Sequence, residues 1–458
     1  MYRELFPLRQ ALSLELKADL PPAVPGIDSE HLLQSYIDRL TMYVGCDVAD
    51  QLLTFFAVDT AGEELGHLSA ANDPQGFEQI WDWLENLRSQ HSLRIMLLAM
   101  ESTGVYYWAC WDFMAQRANL ARVLYNPRTT EHMTQVLSKK VRNELVDAYA
   151  LAEQVRLGST PEVVLSEDAD LLTARFCSRA ARDLAGQINR KKNQLRALVR
   201  AYNPAIRQVF PGSKFHHQAV YALLQQYTFP DECVEAGIEA ITAILAAHCR
   251  TAFDSQHAER LVALCRDTLS RPIGREEIRQ RVHHLIDDIT TCQKRKSYFN
   301  STGYRLIEDR PETSLLRDAT GAGISNTLAL ASEIGDVQRF KSGEHLASFL
   351  GLTTSKHISG TTVFVSKHIT KQGSPNARYA AVNIALHLSQ RVPKYQKMYE
   401  RIKNRKPPRK GHYVALVAVA RDFITNVLYD MWRYKRPFFR EVEDYRAYRR
   451  KNPRSDEE

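Results

Sequence analysis

Apolar positions along this chain follow two rhythms. Up to residue 125 they gather into short unbroken runs, and beyond Asp170 they recur every three or four positions. A short apolar run bounded by turn-formers reads as a buried strand, and a three–four spacing reads as one face of a helix. Residues 43–47 and 95–101 are such runs, and each ends on a carboxylate, Asp47 and Glu101. The pattern predicts strands over 43–47, 52–58 and 63–68, a helix over 76–84 and a strand over 95–101. A helix over 106–120 follows, then a strand over 122–125 halted by Asn126 and Pro127, then helices. Strands first, with helices between the later ones, imply a mixed sheet covered by helices.

The second rhythm is heptad-like. Cys177, Ala181, Leu184, Ile188, Leu195, Leu198 and Tyr202 form one seam, with Lys191 at its missing step. Ile278, Val282, Leu285, Ile289, Cys292 and Phe299 form another, with Lys296 at its missing step. Two such seams suggest an antiparallel pair or a dimerising coiled coil, and a plain helical bundle fits equally. After 305 a helix, a Gly-x-Gly turn at Gly321 and Gly323, and a second helix over 325–334 resemble a helix-hairpin-helix element. The segments are therefore an N-terminal extension (1–41), an α/β domain (42–165), a helical, coiled-coil region (166–304), a mainly α domain (305–440) and a charged tail (441–458).

Composition alters this picture little. A chain of 458 residues has room for two or three cores. No charged-then-apolar leader follows Met1 and no apolar run is long enough to span a bilayer, so a cytoplasmic protein with no membrane partner is expected. The seven cysteines show no C-x-x-C spacing and read as isolated buried thiols. Charge is more informative. Of a net +8, residues 391–458 carry 19 Lys/Arg against 9 Asp/Glu, which points to a polyanion-binding surface near that end. Cations interleaved with aromatics over 433–440 suit contacts to nucleic-acid backbone and bases.

Candidate chemistry sits in two places. Glu144 and Asp147 are three apart in a helix-forming run, so they share a face. Alone, each acid is more simply a turn, cap or surface residue. Together, Asp47, Glu101, Glu144 and Asp147 form an oxygen-donor set suited to Mg²⁺ and to metal-dependent phosphodiester chemistry. The element order is the ribonuclease-H-like (RuvC-type) one, which places its metal ligands at such positions. Further on, Ser359 precedes Gly360 in a polar, basic loop over 353–360, with Lys356, Lys367, Lys371 and Arg378 around it. A serine among cations could attack a phosphate, and a hydroxyl serving a surface turn is the plainer alternative.

These residues together resemble the DEDD-type transposases of the insertion-sequence 110/1111 group, which includes the Piv-like invertases. The resemblance rests on the 43–48 strand and on Glu101-Ser102-Thr103-Gly104-Val105-Tyr106. It also rests on Thr320-Gly321-Ala322-Gly323 followed by Glu333-Ile334-Gly335-Asp336, and on Ile358-Ser359-Gly360 followed by Ile369-Thr370-Lys371-Gln372-Gly373. It covers roughly 42–437. One departure is Glu144, in Asn143-Glu144-Leu145-Val146-Asp147-Ala148, where the family usually has Asp.

The resemblance implies a DNA transposase or site-specific recombinase acting on donor and target DNA. Mg²⁺ would be bound by Asp47, Glu101, Glu144 and Asp147, and Ser359 would form a covalent phosphoserine link. It further implies a structured non-coding guide RNA and a homodimer or homotetramer in which Ser359 of one subunit joins carboxylates of another. Lys356, Lys367, Lys371 and Arg378 are expected to meet DNA phosphates. A ribonuclease-H-like nuclease or junction resolvase without serine chemistry is the alternative enzyme. A non-catalytic nucleic-acid-binding protein is the alternative outside catalysis.

Overall fold

The computed structural model describes residues 10, 37–102, 104–125, 127–137, 143–158, 168–249, 253–269, 273–320, 322–359, 362–405 and 407–438. Most of the 1–41 extension, all of the 441–458 tail, and Gly321, Gly360 and Thr361 lie outside them. The chain divides into two compact units, Met1–Leu165 and Ser166–Glu458.

The first unit holds β1 (Thr41–Val48), β2 (Leu52–Val58), β3 (Glu64–Ala71), α1 (Pro74–Gln90), β4 (Ile95–Glu101), α2 (Trp108–Ala115), β5 (Leu120–Tyr125), α3 (Pro127–Leu137) and α4 (Glu144–Arg156). The sheet order is β3-β2-β1-β4-β5. β1, β2 and β3 pair antiparallel, while β4 and β5 run parallel to β1. This is the predicted mixed sheet, with one difference: the helix expected over 106–120 stops at Ala115. Asn119 takes a left-handed backbone (φ 60°), which asparagine tolerates better than most residues, and β5 begins immediately after it.

Alternation along the strands gives each face its own core. Met42, Val44 and Cys46 of β1 join Phe77, Ile80 and Leu84 of α1 on one side. Tyr43 of β1, Leu97 and Ala99 of β4 and Ala148, Leu151 and Ala152 of α4 meet on the other. Gly45 lies on this second face. A Cβ there would sit 2.0 Å from the Ala148 carbonyl oxygen and 2.5 Å from the Ala152 nitrogen. Only glycine allows α4 this close to the sheet.

The second unit is built on two long helices, α5 (Ala169–Tyr202) and, further along, α10 (Arg275–Arg305). Lys191 Nζ lies 2.5 Å from Asp288 Oδ2, and Cys292 Sγ lies 3.9 Å from Gln187 Oε1. A Cβ on Gly303 would fall 2.7 Å from that of Cys177. These pairings run in opposite directions along the chain, so the two seams face each other antiparallel within one chain. Between them in sequence, α6 (Pro204–Val209), α7 (Gln218–Gln226), α8 (Pro230–His248) and α9 (Ser255–Arg266) pack against Leu195, Val199, Val282 and Leu285.

The near end of α5 enters a different core. Leu171 and Ala174 join α11 (Pro311–Thr320), α12 (Ile324–Ile334), α13 (Gly343–Phe349), α14 (Pro375–Arg391), α15 (Pro393–Lys403), α16 (Pro408–Phe423) and α17 (Tyr429–Arg433). A π-helical turn, Ile424–Leu428, links the last two. Among the described residues of this unit, β6 (Thr354–Ser359) and β7 (Thr362–Ile369) pair as an antiparallel hairpin. All seven cysteines are reduced and all but Cys249 are buried. Cys233 and Cys265 share a partner, Asn203, whose Nδ2 donates to Cys233 Sγ at 3.7 Å and whose Oδ1 accepts from Cys265 Sγ at 3.8 Å. Among the described residues no helix is long and apolar enough to cross a membrane.

Candidate active site

β1 and β4 are neighbouring parallel strands whose pairing ends at Cys46 and Met100. One residue further on each strand stand Asp47 and Glu101, both on the face that α4 covers and both partly buried. Asn143 caps α4, its Oδ1 accepting from the Val146 amide at 2.9 Å. This cap starts the helix at Glu144 and puts both acids in its first turn, where the helix dipole favours negative charge. Glu144 is exposed and Asp147 is partly buried. Thr134, buried on α3, donates its hydroxyl to Asp147 Oδ1 at 2.8 Å.

Electrostatics gather the four acids into one group. The Asp47 carboxyl is pushed up to about 6, first by burial, then by the charges of Asp147 and Glu101, with a smaller push from Glu144. Close to Gly45, α4 is what brings its acids to the strand end. All four donors are carboxylate oxygens, the chemistry a hard divalent cation selects, and their mutual repulsion is what such a cation relieves. In this respect the residues fit Mg²⁺. Among the described residues, however, no group of three or more acidic, histidine or cysteine side chains is already arranged to hold a metal ion.

Two residues that sequence reasoning passed over shape this end of the sheet. One is Thr134. The other is Asn72, whose Nδ2 donates to Ala49 O (3.0 Å) and Tyr106 O (3.1 Å), tying the turn after β1 to the turn after β4. Asn72 lies in a turn sequence, Asn72-Asp73-Pro74, which signalled a helix start and nothing of this tie. Beside that turn Val105, Tyr106 and Trp108 are exposed, Trp108 by 52%.

The serine lies in the second unit, in a different setting from that expected. Residues 354–359 form a strand rather than a loop, because β7, rich in β-branched residues, pairs with them up to Ser359 and Thr362. Ser359 is thus the last residue of β6. Lys356 and Lys367 lie on the two strands, and Lys371 lies just beyond β7 with φ 57°. Tight backbone packing fixes the hairpin base. Gly351 (φ 65°) and Gly373 (φ 81°) are left-handed, and a Cβ on either would fall within 2.0 Å of a carbonyl oxygen, of Gln372 and Phe349 respectively. Arg378 Nη1 donates to Leu350 O (3.1 Å) and Gln372 O (3.4 Å), so this cation braces the hairpin base. Ser374 caps α14 behind it, accepting from the Ala377 amide at 3.2 Å.

Comparison with known proteins gives two family matches. A model described as "Transposase" matches residues 44–204, and one described as "Transposase IS116/IS110/IS902 family" matches 313–400. The "Insertion element IS110 uncharacterized 43.6 kDa protein" of Streptomyces coelicolor is 27% identical over 256 residues, 55% of this chain and 60% of that one. The "Pilin gene-inverting protein" of Moraxella bovis is 30% identical over 146 residues, 31% of this chain and 44% of its own. That of Moraxella lacunata matches over the same shares. The chain thus spans about half the length of these relatives.

Proposed function

This chain belongs to the IS110 group of transposases, and we propose that it is a DNA recombinase that cuts and rejoins strands through Ser359. Asp47, Glu101, Glu144 and Asp147, at the end of a ribonuclease-H-like sheet, would hold Mg²⁺. What supports the reading most is the pair of carboxylates, Asp47 and Glu101, just past the paired ends of two adjacent parallel strands, with Asp47 pushed up to about 6 by burial and by the charges of Asp147, Glu101 and Glu144. A divalent cation there would supply charge neutralisation at a scissile phosphate.

The residues of the chain divide the remaining work. The Ser359 hydroxyl oxygen bonds to phosphorus, the bond from phosphorus to a sugar oxygen breaks, and the serine proton passes through solvent to that leaving oxygen. The reverse reaction with a different sugar hydroxyl rejoins the strand and frees the serine. One phosphoester replaces another at each step, so no external energy source is needed. Lys356, Lys367 and Lys371 are assigned to DNA phosphates. Arg378, tied to two carbonyls, adds positive potential while holding the hairpin base. A structured guide RNA and a dimeric or tetrameric assembly complete the proposal on the strength of the resemblance.

The test is an adduct trap. A labelled junction substrate, nicked so that the released strand diffuses away, is incubated with Mg²⁺ and full-length protein and run under denaturing conditions. A protein–DNA adduct that Ser359→Ala abolishes is the expected result. An adduct that persists in Ser359→Ala overturns the nucleophile. Free ends with no adduct identify a nuclease using water instead.

A further inference from the structure

The two lysines that interrupt the helical seams have different fates. Lys191 meets Asp288 across the pair. Lys296 has no such carboxylate among the described residues and lines an open cleft of about 770 Å³ between α5, α10, α12 and α14. Arg182 and Arg190 of α5 line the same cleft, also without an acidic partner among the described residues, and Asp183 is the acid in its wall. The cleft is therefore net cationic. Ser325 and Asn326, in the first turn of α12, form another wall. Gly323 starts that helix without a side-chain cap, its carbonyl accepting from the Asn326 and Thr327 amides at 3.1 Å.

Two further features indicate the kind of anion. Tyr379 is 57% exposed at the cleft, and the Arg182 guanidinium lies 4.5 Å from its ring centroid, backing an accessible aromatic face. The cationic row also outruns the cleft. Along α5 it continues through Lys192 to Arg196, whose Nη2 lies 2.7 Å from His216 Nε2. Burial, then Lys192 and Arg196, hold that histidine down near 4, so it adds no charge of its own. From Arg182 to Arg196 the helix rises roughly 21 Å, too long a track for one small phosphate compound and suited to a chain of phosphates.

We propose that this cleft binds a single strand of nucleic acid, with Arg182, Arg190 and Lys296 on its phosphates and Tyr379 stacked on a base. A duplex would keep its base faces covered, whereas a single strand can offer one to Tyr379. The cleft also neighbours the serine hairpin: Arg182 is close enough to Arg378 to lower that guanidinium, after burial, from its ordinary value. A strand held here runs toward the hairpin base. The inference rests on the recombinase reading only for which strand, guide RNA or opened DNA, takes the place.

The probes are fluorescein-labelled 20-mers of mixed-sequence single-stranded RNA and DNA, titrated with full-length protein by anisotropy across a salt series. The triple variant Arg182→Gln/Arg190→Gln/Lys296→Gln is expected to bind about tenfold more weakly or worse, with the log–log salt slope shallower by about 2. Tyr379→Ala is expected to weaken binding several-fold with the slope unchanged. Tighter binding of the RNA or of the DNA probe identifies which strand the cleft serves. Unchanged affinity and slope in the triple variant overturn the proposal. Photocrosslinking wild-type protein to a halogenated strand decides independently of how the variant folds. Adducts on the peptide bearing Tyr379 support the site, and adducts confined to the hairpin or the tail refute it. A Ser359 adduct without cleft binding sinks this inference alone, and cleft binding without an adduct sinks only the nucleophile.

Discussion

Asp47 and Glu101 stand side by side at the ends of adjacent parallel strands, one residue past the Cys46–Met100 pair and on one face of the sheet. Two carboxylates so placed repel each other, and the first turn of α4 adds two more. Folding thus stores negative charge at one point on the molecule, and the consequences can be measured.

The first concerns pH and metal together. The folded Asp47 carboxyl is raised from 3.8 to about 6, so its protonated form is favoured by folding. Its contribution to stability is fully present below pH 4 and is lost as pH rises through 6. Without divalent cations, wild type should lose about 2 kcal/mol relative to Asp47→Asn between pH 4 and pH 7, with water at the strand end screening part of the repulsion. Millimolar Mg²⁺ should raise the melting temperature more at pH 8 than at pH 5, and Asp47→Asn should remove that difference. An equal Mg²⁺ effect at both pH values would sink the assignment.

Gly45 tests the close approach that gathers the acids. Gly45→Ala puts a methyl within 2.5 Å of two backbone atoms of α4, which cannot swing aside as a side chain would. A loss of roughly 3 kcal/mol is expected in urea denaturation. Asp47 should also titrate closer to an ordinary aspartate in a carboxyl NMR experiment, because Asp147 recedes. A fully stable Gly45→Ala protein would show that the contact does not matter.

Glu144 is the exposed member of the set, at the first position of its helix. Glu144→Asp keeps the charge and shortens the side chain to the aspartate that the resemblance leads one to expect there, so Mg²⁺-dependent cleavage should be retained or improved. Glu144→Ala should cost at least about tenfold, or 1.4 kcal/mol of barrier. Equal rates for Glu144→Ala and wild type would remove Glu144 from the site.

In the second unit, Arg179 reaches the buried Glu333 through two bonds of 2.7 and 2.8 Å, holding α5 against α12. The Glu333 side chain is 3% exposed and that of Arg179 is 58% exposed, so the two halves of the pair are not equivalent. Arg179→Met strands a buried carboxylate and should destabilise the protein by about 3 kcal/mol. Adding Glu333→Gln should recover part of that loss. Chemical denaturation of the single and double variants checks the prediction, and additive losses would contradict it.

The sequence by itself determined what local chemistry can determine. Unbroken apolar runs ending at Asp47 and Glu101 fixed two buried strands and the acids at their ends, because a strand buried on both faces leaves little room for polar residues before it emerges. The three–four spacing fixed the two long helices and marked Lys191 and Lys296 as intrusions. Contacts between segments far apart in sequence had to come from the tertiary structure. It turned a serine loop into a hairpin, because pairing with 362–369 outweighs the local preference of a polar stretch. It brought Asp147 to Asp47 through the space Gly45 leaves open. It made Arg378 a brace by closing two carbonyls around it. It gave Lys191 a carboxylate and Lys296 a cleft, although the sequence places both at the same kind of seam position, because a helix's own pattern does not contain the surface it packs against.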